Sequence, residues 1–114
     1  VNVLLVDDNR ASADALAALA STMGHEATTA YDGHDAVELA RGTTFDLILL
    51  DLRLGDADGR EVCAAIRREG LSRHSRIIAM TGHVGLEQEV SLGDFNGYAL
   101  KPLEFDRLED LLTS

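Results

Sequence analysis

The sequence predicts an α/β fold, a three-layer, doubly wound, five-stranded parallel sheet, and two observations carry that expectation. Five short apolar runs are separated by stretches in which apolar residues recur at helical spacing. That alternation belongs to βα units around a parallel sheet buried on both faces. The chain also has 114 residues, the size of one domain with its own core and too short for a second. Residues 1–114 are therefore read as a single domain.

The strands are expected at Val3 to Val6, Glu26 to Ala30, Leu47 to Leu50, Ile77 to Met80 and Gly97 to Leu100. Between them, Leu16, Leu19, Ala20 and Met23 fall at i, i+3, i+4 and i+7. Val62, Ala65 and Ile66 repeat the spacing, as do Phe105, Leu108 and Leu112, and each set is read as the inward face of a helix. Further helices are expected at about residues 34 to 41 and 84 to 92. Right-handed crossovers then give the strand order 2-1-3-4-5, the flavodoxin-like arrangement, in which ligands bind at the carboxyl ends of the strands near the reversal of strand order.

Composition narrows the function. With 46% hydrophobic residues and no Trp, the core must be built from Val, Leu, Ile and Ala. A formal charge of −10 excludes direct binding to nucleic acid, which needs a basic face, and suits a divalent cation where the acids converge. The single Cys63 lies among Val62, Ala64 and Ala65 and reads as a small apolar filler. Nothing resembles a signal peptide or a membrane span, so a cytoplasmic domain without membrane contact is expected. The start at Val rather than Met is consistent with excision from a longer protein.

The residues at the strand ends decide the chemistry. Strand 1 runs into Asp7 and Asp8, strand 3 into Asp51, strand 4 into Thr81, and strand 5 into Lys101 and Pro102. Strands 1 and 3 are neighbours about 4.8 Å apart, so three carboxylates converge. Such a group is not easily ionised together unless a cation sits among them. Hard oxygen ligands beside a phosphate site point to Mg²⁺. Asp7, Asp8 or Asn9 also suits a helix N-cap, and capping and metal binding can coexist. Lys101 would pair with a carboxylate and could hold phosphoryl oxygens. Pro102, the sole proline, suits a cis bond that aims Lys101 back into the site. Thr81 alone reads as an ordinary strand residue.

These elements together resemble the receiver domain (CheY-like) of response regulators and hybrid histidine kinases, over essentially the whole chain. The resemblance rests on Val6-Asp7-Asp8, Tyr31-Asp32-Gly33, Leu49-Leu50-Asp51, Asp58-Gly59, Thr81-Gly82 and Lys101-Pro102 in that order. It implies phosphorelay signal transduction, in which Asp51 accepts a phosphoryl group from a histidine kinase or histidine phosphotransfer protein. Mg²⁺, for which Mn²⁺ can substitute, would be ligated by Asp8, Asp51 and the backbone carbonyl of Arg53, with Asp7 acting mainly through a metal-bound water. Lys101 and Thr81 would bind phosphoryl oxygens. Thr81 and Tyr98 would form a switch that reshapes the face made by the helix at 84 to 92, strand 5 and the last helix. Apart from its own phosphotransfer and autodephosphorylation, no stand-alone metabolic activity is implied.

Several positions depart from the family pattern. Gly55 stands where proline is usual, which could loosen the loop after Asp51. Asp94-Phe95 replaces a frequent Gly-Ala, and the segment from Thr81 to Lys101 is somewhat short. Arg53 and His83 flank the expected phosphoryl position, where they would tune the phosphoryl lifetime. The phrases Thr81-Gly82-His83 and Asp94 to Leu103 resemble receivers attached to hybrid histidine kinases, whose full-length protein could be membrane-attached. The output partner and the choice between a stand-alone regulator and such a fragment stay open.

Other readings fit less well. A haloacid dehalogenase-type hydrolase wants a second acid where Arg53 stands, and a nucleotide-binding domain wants a glycine-rich turn where Asp7-Asp8-Asn9 stands. A receiver-like interaction module that is never phosphorylated is the remaining alternative.

Overall fold

In the computed structural model, which describes residues 1–82 and 94–113, the strands form one parallel sheet in the order β2-β1-β3-β4-β5. Along the chain run β1 (Asn2–Val6), α1 (Arg10–Thr22), β2 (Glu26–Ala30), α2 (Gly33–Gly42) and β3 (Leu47–Asp51). They are followed by α3 (Gly59–Arg68), β4 (Arg76–Thr81), β5 (Gly97–Leu100) and α4 (Phe105–Thr113). The helix expected at 84 to 92 lies outside the described residues. Two strand ends run further than their apolar runs: Asp51 closes β3 and Thr81 closes β4 as strand residues. Their backbones are thus fixed by the sheet.

The strand pleat sends alternate side chains to opposite faces, and this divides the interior in two. On one face Leu4, Val6, Ile48, Leu50, Ile77 and Ala79 pack with Ala36 and Ala40 of α2 and Val62, Cys63 and Ile66 of α3. On the other, Val3, Leu5, Leu47, Leu49, Ile78 and Met80 pack with Leu16 and Ala20 of α1 and Leu108, Leu111 and Leu112 of α4. Each fully buried Leu, Ile or Val contributes about 1.5–3 kcal/mol relative to exposure. The strands that carry the acids and Thr81 are therefore clamped from both sides.

Phe105 departs from its expected inward position. It opens α4 and is half exposed, because the buried stripe of that helix is Leu108, Leu111 and Leu112, and the packed part begins one turn later. Asp94-Phe95 has a packing explanation: Phe95 is buried in the face shared with α3. Arg67 of α3 holds the same segment, donating to the Asp94 carbonyl at 3.0 Å and to Asn96 Oδ1 at 2.7 Å.

The helix starts are set by local polar side chains. Asn9 accepts from the Ser12 amide, Asp32 from that of Asp35 and Asp58 from that of Arg60, each satisfying an amide that the helix leaves free. At Gly59 a closer constraint operates. A methyl group there would come within 2.3 Å of the Asp51 carbonyl oxygen and 2.8 Å of Leu52 Cα, so α3 can start against the end of β3 only because this residue has no side chain. Gly59→Ala is expected to destabilise the domain by about 1–3 kcal/mol, the usual range for overpacking, as measured by urea unfolding.

Candidate functional site

The polar residues that follow or close β1, β3, β4 and β5 gather at the carboxyl ends of the strands. β1 hands over to Asp7, which is 1% exposed, and the Asp7 amide donates to the Ala30 carbonyl at 3.1 Å. Asp7 Oδ1 accepts from the Asn9 amide at 3.0 Å, so the cap of α1 and the orientation of Asp7 are parts of one turn. Asp8 is exposed. Asp51 is buried at the end of β3, and its Oδ1 accepts from the Arg53 amide at 3.1 Å. Asp7, Asp8 and Asp51 each present a carboxylate oxygen within 4.8 Å of the others.

Lys101 bridges the two buried acids. Its Nζ lies 2.8 Å from Asp51 Oδ2, as a hydrogen bond, and 2.9 Å from Asp7 Oδ2. The second contact is an ion pair, and among the described residues the buried Asp7 Oδ2 has no hydrogen-bond partner. The peptide bond between Lys101 and Pro102 is cis. The Lys101 amide donates to the Thr81 carbonyl at 2.7 Å, which fixes the start of this loop to the end of β4. Asp8, Asp51, Arg53, Thr81, Gly82 and Lys101 line a crevice of about 310 Å³.

Burial pushes the Asp51 carboxyl above its ordinary value of 3.8; the Asp7 charge adds to this, while Lys101 and the Arg53 amide pull it down without cancelling the rise. Burial disfavours the charge of Lys101, but its contacts with Asp51 and Asp7 outweigh that and hold its pKa above the ordinary 10.5. Three carboxylates and one ammonium leave a formal excess of two negative charges when all are ionised. That excess, and three carboxylate oxygens within 4.8 Å of one another, fit a hard divalent cation, whose preferred ligands are carboxylate and carbonyl oxygens.

Of the remaining candidates, Arg53 and Thr81 line the crevice with this centre. Arg53 is exposed beside it, and His83 lies outside the described residues. Tyr98 is 37% exposed and lines a separate surface groove with Leu100, Pro102 and Arg107. It pairs with Ala79, while Leu100 pairs with Thr81, so Tyr98 and Thr81 occupy the same face of neighbouring strands two residues apart in register. One residue near the site escaped the sequence reading. Asp56, in the loop after β3, accepts from the amides of Gly33 at 2.8 Å and His34 at 3.2 Å. Its partners lie more than twenty residues earlier in the chain, and no local pattern marks such a contact.

The family model for the response regulator receiver domain matches residues 3–113. The chain belongs to that family. As a receiver domain of two-component signalling it is similar to part of the signal transduction histidine-protein kinase BarA of Shigella flexneri, 35% identical over 98% of this chain. It spans only 12% of the length of that relative. Among solved structures it is similar to the receiver domain of sensor histidine kinase PA1611 from Pseudomonas aeruginosa PAO1, which has a magnesium ion coordinated in its active-site cleft. The TM-score is 0.87 and the identity 32%, with 97% of this chain and 93% of that one covered. A response regulator from Burkholderia pseudomallei, with a phosphorylated aspartic acid, calcium ion and citrate, gives a TM-score of 0.86 at 28% identity, covering 99% of this chain and 66% of that one. Among the described residues of this receiver domain, no helix is long and apolar enough to cross a membrane.

The raised pKa of Asp51 has a consequence for stability. The folded receiver domain holds this proton more tightly than the unfolded chain does, so ionising Asp51 destabilises the fold as pH rises from about the ordinary 3.8 through the folded value. Asp51→Asn removes that penalty and keeps an oxygen that can accept from Lys101. Without metal, the variant's stability relative to the wild type is expected to rise from acid toward neutral pH and then level off. Denaturant unfolding across that range checks it, and a gap that stays constant would contradict it.

Proposed function

We propose that Asp51 is the phosphoryl acceptor of this receiver domain, with a histidine kinase or histidine phosphotransfer protein as donor. The observation that carries the reading is the position of its carboxylate. It ends a buried strand with Oδ2 bonded to Lys101 at 2.8 Å and Oδ1 to the Arg53 amide, and it opens into the crevice shared with Asp8 and Thr81.

An Asp51 carboxylate oxygen attacks the phosphorus of the donor phosphohistidine, a P–O bond forms, the P–N bond breaks and the imidazole leaves with the bond pair. The product is an acyl phosphate on Asp51, which water later hydrolyses to aspartate and inorganic phosphate. Bound Mg²⁺, held by Asp8, Asp51 and the Arg53 carbonyl with Asp7 through a water, would neutralise charge on the transferring group; Mn²⁺ would serve in the same place. Lys101 and the Thr81 hydroxyl take phosphoryl oxygens. Arg53, which is exposed, and His83 would set how easily water reaches the acyl phosphate.

Thr81, drawn toward the new oxygens, would then release Tyr98 from its outward position, and the face around β5 and α4 would change for a partner to read. The short match to a much longer histidine kinase supports the reading that this domain works within, or beside, such a protein in the cytoplasm.

Incubation with acetyl phosphate and Mg²⁺, followed by intact mass, is expected to show one acid-stable, base-labile phosphoryl adduct on the wild type and none on Asp51→Asn. Chelation of the metal should abolish it. No adduct from either a small donor or a phosphorylated histidine phosphotransfer protein, on a folded protein that binds Mg²⁺, would favour an interaction-only role.

A further inference from the structure

We propose that Asp56 is a positioning residue for the metal half of the site: its carboxylate ties the loop between β3 and α3 to the start of α2, and so holds the Arg53 carbonyl in place. The proposal rests on the reading of that carbonyl as a metal ligand.

The tie is two-pronged. Asp56 Oδ1 accepts from the Gly33 amide at 2.8 Å and Oδ2 from the His34 amide at 3.2 Å, the first two amides of α2, which the helix itself leaves free. The local cap, Asp32, serves a different amide, that of Asp35. The two acids therefore divide the helix start between them, and only Asp56 belongs to the loop beside the site. The contact is close: a methyl group on Gly33 would lie 2.8 Å from Val62 Cγ2, 3.1 Å from Ala57 Cβ and 3.3 Å from Asp56 Oδ1. The amide bonds, that of Gly33 foremost, hold the Asp56 carboxyl below its ordinary value, as expected where the charged form makes them.

The loop needs such a tie because of Gly55. That residue has no positive φ, and a methyl group added to it would meet only Asp8 Oδ2, at 3.9 Å. Glycine is thus required there neither by backbone nor by space, and it leaves the loop free to move beside a metal-binding carboxylate. Asp56, the next residue, removes that freedom. The Leu54 amide bonded to the Ala57 carbonyl at 3.2 Å and the bridge between Arg53 and Asp58 carry the restraint back to Arg53.

Titration with Mg²⁺, followed by backbone amide NMR shifts, tests the proposal on the wild type, Asp56→Ala, Asp56→Asn and Asp32→Ala. Asp56→Ala should raise the half-saturating Mg²⁺ concentration by about tenfold, the low end for loss of a residue that supports a metal ligand. Asp56→Asn, whose amide oxygen can keep one of the two bonds, should fall between, and it carries the test if the alanine variant fails to fold. Asp32→Ala weakens the same helix start without touching the loop and should leave the value within about twofold. Gly55→Ala, added to Asp56→Ala, should recover part of the loss by stiffening the loop. Unchanged affinity in both Asp56 variants, or an equal loss in Asp32→Ala, would overturn the proposal. A wild type that binds Mg²⁺ but takes no phosphoryl group sinks the acceptor reading alone, whereas one that binds no Mg²⁺ sinks both.

Discussion

The lysine that bridges two buried carboxylates is the constraint on which the rest of the site depends. Lys101 leaves the end of β5, at the edge of the sheet, and reaches past the end of β4 to Asp51 on β3 and Asp7 after β1. One ammonium thus links the ends of three strands that are distant in sequence. Removing it would leave two buried carboxylates facing each other, an arrangement in which an unpaired buried charge is strongly destabilising. The reach is possible because the Lys101 amide is pinned to Thr81, which fixes where the side chain begins.

That bridge does not neutralise the site. Asp51 still has a raised pKa, since burial outweighs the help of Lys101 and the Arg53 amide. The charge excess at the strand ends opposes folding, and the stability that tolerates it comes from the apolar layers on the two faces of the sheet. Receptivity and stability are therefore built in different places. The interior can remain rigid while the crevice keeps carboxylate oxygens available to a cation and to a phosphoryl group.

The sequence made much of this legible, and the exceptions share a cause. Strand positions and sheet order follow from apolar runs and right-handed connection, both of which are local or general rules. The pairing of Lys101 with acids could be anticipated because every partner sits at a strand end, and strand ends are brought together by the order of the sheet. Asp56 could not be anticipated, since its partners, the amides of Gly33 and His34, carry no side-chain signature. Phe95 departs from a familiar pair, and its part in the core could not be read from the sequence. Phe105 matched the helical period yet lies one turn ahead of the packed stripe. Periodicity identifies a face but not where along the helix the core begins.

The proposed switch between Thr81 and Tyr98 would act through the register of the same sheet. In a parallel sheet, paired residues point to the same face, so Tyr98 stands beside Ala79, and Thr81 lies one same-face position further along β4. Ala79, level with Tyr98 and on the same face as Thr81, is thus among the smallest side chains available. Ala79 itself is fully buried, so its size is also fixed by the core beneath it. A residue kept small by packing therefore borders both members of the proposed switch, and a rearrangement there would need no change in strand register.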